Sequence, residues 1–131
     1  MGKRGRQRAR EGRQAEPLGD APTSDHASPD GAHVLTLRGA MTAGTRVAYQ
    51  RTLAGEDRVA GGAQAREDAW QRAVELLFER LAVRWVVHDV PTEGQRELLA
   101  RLRAATPEER RFVRDALRAH LAEHFPELPA P

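Results

Sequence analysis

The chain has 131 residues, a formal net charge of +2 and no cysteine. This length fits one domain with room for a tail, and the lack of cysteine excludes disulfide bonds, thiolate metal centres and thiol catalysis. No uncharged stretch approaches the length of a membrane span, and the most apolar segment, residues 81–87, is interrupted by Arg84. We therefore expect a soluble cytoplasmic protein that does not cross a membrane.

The first 32 residues form a basic arm followed by an acidic linker that is rich in proline and glycine. Residues 1–15 carry six basic side chains against Glu11, a charge of +5, whereas residues 16–32 carry four acidic side chains and no Lys or Arg. Leu18 is the only Leu, Val or Phe of the whole segment. Such a segment cannot bury a core, so we predict that residues 1–32 are disordered. The basic side chains of the arm are Lys3, Arg4, Arg6, Arg8, Arg10 and Arg13.

From His33 onward the pattern favours strands. Apolar residues at largely alternate positions flank a Gly- and Thr-rich stretch at 39–45. This pattern predicts a β-hairpin of about seven residues per strand, with its turn near Ala43 and Gly44. The apolar positions are Val34, Leu35 and Leu37 before the stretch, and Val47, Tyr49 and Leu53 after it. The following residues, 56–65, are typical of a polar loop.

A first helix is predicted from about Arg66, because apolar residues then recur at spacings of three and four. This stripe consists of Trp70, Val74, Leu77, Leu81 and Trp85, with Leu76 and Phe78 beside it. A domain this small has little room to cover so wide an apolar face. We therefore predict that Trp70, Phe78 and Trp85 contribute to a protein–protein or homo-oligomer interface. The alternative is that these rings form the core of the domain.

The end of this helix is ambiguous, because residues 83–90 are rich in Val and Trp and could extend the helix or form a strand. We favour a short third strand at about 84–89. Two helices then follow. The first begins at a capping box made by Thr92 and Gln95, and the second at Thr106, Pro107 and Glu109.

The element order predicts a small single α+β domain at residues 33–126. A β-hairpin, with the third short strand beside it, packs on three helices. The disordered arm at 1–32 precedes this domain, and a C-terminal tail at 127–131 follows it.

His120, Glu123 and His124 form the one literal catalytic motif, the H-x-x-E-H pattern of certain zinc peptidases. Two histidines four residues apart on a helix can share a metal, but a catalytic zinc needs a third protein ligand, and little chain follows to supply one. His120 and His124 are therefore only weak metal candidates. The two serines, Ser24 and Ser28, lie in the predicted linker. We thus predict no catalytic residues and no cofactor.

The last helix carries a row of arginines, Arg110, Arg111, Arg114 and Arg118. Together with the arm, this row could bind nucleic-acid phosphates without sequence preference. A helix-turn-helix reader fits poorly, because the presumed recognition helix begins with Glu108 and Glu109, which repel phosphate. The alternatives are a plain solvated helix face and, for the arm, a solubilising tail.

These patterns predict a non-enzymatic binding module that contacts a protein partner or a second copy of itself. The alternative function is that of an accessory protein associated with nucleic acid through the arm and the arginine row.

The nucleic-acid alternative makes a quantitative prediction for the arm. Its six cations can contact at most six phosphates and Glu11 opposes them, so counterion release predicts a log–log salt slope no steeper than about −4 to −5. Deleting residues 1–15 should abolish this binding in a filter-binding titration at two salt concentrations. Equal binding by the truncated chain would assign the contacts to the arginine row instead.

Overall fold

The computed structural model describes residues 21–55 and 62–131, which form a small single α+β domain. The described strands are β1 (Thr23–Ala27), β2 (His33–Arg38), β3 (Ala82–Val87) and β4 (Val90–Glu93). The described helices are α1 (Ala43–Ala54), α2 (Ala63–Leu81), α3 (Gln95–Arg103) and α4 (Pro107–His124). The strands pair as one antiparallel sheet in the order β1-β2-β3-β4. The predicted fold class is confirmed.

The two faces of the sheet differ because side chains alternate along each strand. The register places Leu35 of β2 opposite Trp85 of β3, and both are fully buried on the face that the helices cover. The other face is polar at its centre. There Thr36 donates a hydrogen bond of 2.6 Å to Asp25, and Arg84 lies 3.5 Å from a carboxylate oxygen of Glu93.

Strand β1 corrects the predicted start of the domain at His33. Thr23–Ala27 pairs along its whole length with β2, so the domain includes residues that we assigned to the acidic linker. The amino-acid composition did not indicate this strand, because the strand buries no large apolar side chain. It turns the polar Ser24 and His26 towards α4 instead. The prediction for residues 1–20 lies outside the described residues.

The prediction of a second hairpin strand was wrong, because the residues of that strand form helix α1. The Thr42 hydroxyl accepts a hydrogen bond from the backbone N–H of Thr45, which caps the start of the helix. Gly55 ends it in the left-handed conformation, with φ of 72°. Tyr49 and Leu53 are four residues apart, a spacing that also suits one helix face, so their apolar pattern did not discriminate between strand and helix.

The ambiguous segment after α2 is a strand, as favoured, although β3 spans Ala82–Val87 rather than 84–89. A two-residue turn then reverses the chain into β4, which the sequence did not predict. His88 and Asp89 form this turn with φ of 47° and 65°, the left-handed pair that a type I′ hairpin turn requires. The pair therefore lies in a turn and not on a strand.

Only one of the two predicted capping boxes is present. Thr92 belongs to β4, and Gly94 is the N-cap of α3 without a side-chain bond, so the box of Thr92 and Gln95 was wrong. The box at α4 is confirmed. The Thr106 hydroxyl accepts from the Glu109 backbone N–H at 3.1 Å, and the Glu109 carboxylate accepts from the Thr106 backbone N–H at 2.9 Å.

The predicted C-terminal tail packs against the domain. Leu128 is buried in the core, and the Tyr49 hydroxyl donates a hydrogen bond to the carbonyl of Pro129. Arg46 of α1 forms an ion pair with Glu127. Residues beyond 126 therefore help to hold α1 in place, which extends the domain past its predicted end.

Glu109 should make the stability of the domain depend on pH. Its hydrogen bonds with the Arg101 guanidinium, at 2.6 and 3.2 Å, and with the Thr106 N–H lower its pKa to about 2. This stabilisation is present above the ordinary carboxyl pKa and is lost as the pH falls through 2. Glu109→Gln keeps the cap but removes the charge. We expect it to lower the free energy of unfolding by about 1 kcal/mol at pH 7, and by progressively less as the pH falls towards 2, in urea titrations. Equal stability of the variant and the wild type at pH 7 would contradict this account.

Candidate functional site

A groove of about 320 Å³ opens where α2 faces the end of α3 and the first half of α4. We call it the Arg–Trp groove. Its apolar part consists of Trp70 and Val74 from α2, Leu102 from α3 and Pro107 from α4. Trp70 and Val74 are one helical turn apart and therefore lie on the same face of α2. This placement gives the groove a continuous apolar surface.

Trp70 is the accessible aromatic side chain of this surface. It retains 37% of its solvent exposure, whereas the other tryptophan, Trp85, retains none. The Arg114 guanidinium lies over the Trp70 ring, 5.4 Å from the ring centroid, a distance typical of a cation–π contact. The Trp70 ring is therefore accessible to solvent and in contact with a cation.

The charged residues of the groove are Arg103, Arg110, Arg111 and Arg114, opposite Glu67 and Glu75. Arg103 is neutralised by Glu75, which lies 3.1 Å away. Arg110 donates to the backbone carbonyl of Arg103 at 2.8 Å, and Arg114 donates to the carboxyl-terminal oxygen of Pro131 at 3.4 Å.

Two arginines of the groove thus have no ion-pair partner within residues 21–55 and 62–131, namely Arg110 and Arg111. The same residues of the chain contain 14 arginines and 14 acidic side chains. The positive character of the groove therefore arises from the arrangement of charge and not from an excess of it.

The structure brings together most of the predicted arginine row. Arg110, Arg111 and Arg114 line the groove, whereas Arg118 is exposed further along α4 and does not line it. Arg118 lies about one helical turn beyond Arg114 on α4. The arm residues Lys3, Arg4, Arg6, Arg8, Arg10 and Arg13 lie outside the described residues.

The predicted interface needs correction at two of its three residues. Phe78 and Trp85 are fully buried and meet edge to face, with their ring centroids 5.9 Å apart. The Arg101 guanidinium covers the Trp85 ring at 5.0 Å. These two rings form the core, which was the alternative interpretation, and of the three only Trp70 is accessible to a partner.

The predicted metal candidates are engaged in hydrogen bonds. His120 is fully buried, with its Nε2 atom 2.7 Å from the Arg38 carbonyl oxygen and its Nδ1 atom 3.0 Å from Nε2 of His26. Both ring nitrogens of His120 are therefore used by the protein. Within the described ranges, no group of three or more metal-ligating side chains could hold a metal ion.

His124 contacts a serine that the sequence placed in a linker. Its Nε2 atom lies 3.0 Å from the Ser24 hydroxyl, and the Glu123 carboxylate approaches the same nitrogen at 3.7 Å. In a catalytic triad the carboxylate holds the other ring nitrogen and so orients the base. The pair therefore acts as a hydrogen bond between β1 and α4. No sequence signal could have found it, because its members are 100 positions apart.

No family model, curated protein or solved structure matches this chain. Within residues 21–55 and 62–131, none of the helices combines the length and the hydropathy that crossing a membrane requires.

The two tryptophans should differ sharply in their contribution to stability. Trp85→Ala removes a fully buried ring from the centre of the core, and we expect a loss of about 3–5 kcal/mol in the free energy of unfolding. Trp70→Ala should cost about 1 kcal/mol, because its ring is partly exposed. Urea unfolding followed by circular dichroism measures both changes, and similar losses would contradict the assignment of Trp70 to the surface.

Proposed function

We propose that this protein is an interaction module that binds an acidic segment of a partner protein in the Arg–Trp groove. One observation carries the proposal: the exposed Trp70 ring contacts the Arg114 guanidinium and lines the same groove as Arg110 and Arg111, which have no acidic partner among the described residues. Trp and Arg are the residues that most often dominate binding energy at protein interfaces.

The chemistry of the groove defines the segment that fits it. The apolar surface of Trp70, Val74 and Leu102 suits one bulky apolar side chain, and guanidinium groups bind carboxylates with paired hydrogen bonds. A volume of about 320 Å³ lies at the lower end of the range of ligand sites. It suits one or two side chains of a short segment that carries acidic residues on both sides of an apolar anchor.

Single-stranded nucleic acid is the second candidate, because an exposed indole beside arginines can stack a base and contact its phosphates. One acidic residue weighs against it. Glu67 lines the same groove and would repel a ligand that carries a phosphate at every unit, whereas Glu75 is paired with Arg103. An acidic peptide can place its carboxylates at the arginines alone.

A labelled probe peptide tests the proposal. We suggest an acetylated octapeptide with a central Leu-Phe pair flanked on each side by three Asp or Glu residues, titrated with the full chain by fluorescence polarisation. Binding should weaken about tenfold or more with Trp70→Ala, and with Arg111→Gln, which removes an unpaired cation. Higher salt should also weaken it.

The matched control is Arg118→Gln, which removes an exposed arginine from the same helix outside the groove. It should leave the affinity unchanged. A probe with Ser-Ser in place of Leu-Phe should bind poorly if the apolar anchor matters. Failure of the octapeptide to bind, or an equal effect of Arg118→Gln and Arg111→Gln, would overturn the proposal. Tighter, Trp70-dependent binding of oligothymidine would favour the nucleic-acid candidate.

A further inference from the structure

Strand β1 is attached to the helix layer by polar contacts. Among the residues that the structure describes, it lies at the edge of the sheet and pairs only with β2. None of its side chains belongs to the buried apolar core. The contacts of its side chains with α4 are the Ser24–His124 and His26–His120 hydrogen bonds, both about 3.0 Å long. The position of β1 against α4 therefore depends on imidazole groups.

The hydrogen bonds of His120 fix its protonation state. The Arg38 carbonyl can only accept, so Nε2 of His120 carries the proton and donates it across 2.7 Å. Nδ1 of the neutral ring then has a lone pair, which accepts from Nε2–H of His26 across 3.0 Å. One extra proton leaves a single N–H between the two rings, whereas protonation of both rings places two N–H donors against each other.

We propose that the His26–His120 pair is an acid-sensitive latch that holds β1 against α4. One added proton can be held by the pair with its N–H···N bond intact, but when both rings are charged, two N–H donors face each other and the pair separates. When the latch opens, β1 keeps only the Ser24–His124 hydrogen bond to α4. Its backbone pairing with β2 then opens more readily, and the edge of β2 that β1 covers becomes available for pairing with another strand.

The groups around the pair shift the pKa values of the two rings in opposite directions. Burial lowers the pKa of both rings and is the largest effect on each. His124 on α4 opposes protonation as a like charge, whereas Glu123 on α4 and, for His26, Asp25 on β1 favour it. On β2, the Arg38 carbonyl raises the pKa of His120, but burial outweighs it.

The direction of these pKa shifts sets the pH range in which the latch opens. Because the pKa of each ring is lower in the folded chain than the ordinary value of 6.5, the stabilisation is complete above that value. It is lost as the pH falls below 6.5, where the released histidines bind protons that the latched pair excludes. The latch should thus open under mildly acidic conditions.

Amide hydrogen exchange of the full chain measures the opening. Between pH 7 and 5.5, after correction for intrinsic exchange, the opening equilibrium of the β1 amides should rise by up to about tenfold per pH unit for each proton taken up. The amides of the central strand β3 should change much less. A β1 opening equilibrium that is independent of pH would overturn the proposal.

Two variants separate the latch from a general effect of acid. His120→Gln retains a donor for the Arg38 carbonyl and an acceptor for His26 but cannot be protonated, so the pH dependence of its β1 amides should fall to the contribution of His26 alone. His88→Asn alters an exposed histidine of the β3–β4 turn and should retain it. A His120→Gln chain that keeps the wild-type slope would overturn the proposal.

Nitrogen-15 NMR of the wild-type rings gives an independent test should the glutamine variant not fold. His120 should carry its proton on Nε2 and stay neutral at pH 6.5. A proton on Nδ1, or a ring that is mostly charged at that pH, would overturn the latch. Neither result depends on the groove, whose peptide binding is measured separately at neutral pH.

Discussion

The packing of Trp85 at the centre of the sheet is the interaction on which the rest of the domain depends. The ring is fully buried, meets Phe78 of α2 edge to face and is covered by the Arg101 guanidinium of α3. Arg101 in turn binds the carboxylate of Glu109, the residue that completes the capping box of α4 with Thr106. These contacts connect the sheet through α3 to the start of α4, and they position α4 on the domain.

Helix α4 carries the two features that suggest function, one in each half. Its first half presents Arg110 and Arg114 to Trp70 across the Arg–Trp groove. Its second half holds the edge strand β1 through His120 and His124. The first site is an apolar surface with unpaired cations, which suits a ligand. The second is a set of satisfied hydrogen bonds between imidazoles, which suits a response to protons.

The sequence predicted those elements whose signals are local. The apolar stripe of α2, the box of Thr106 and Glu109, and the Val-rich strand after α2 each lie within a few residues of chain, and all three are present. Helix α1 was not predicted, because the spacing of Tyr49 and Leu53 fits both the period of a strand and that of a helix. Its caps, Thr42 and Gly55, are local signals that indicate a helix.

For the candidate sites, the sequence by itself determined the residue types and their spacing along each helix: an arginine row, an indole stripe and two histidines one turn apart. Only the tertiary structure decided which of these residues meet. It buried Phe78 and Trp85, left Trp70 exposed beside Arg114, and brought His26 to His120 across 94 positions. The physical reason is that helical periodicity and capping act over one or two turns of chain. The exposure of a ring and the partner of a histidine depend on which elements pack together, which is set by the burial of the whole core.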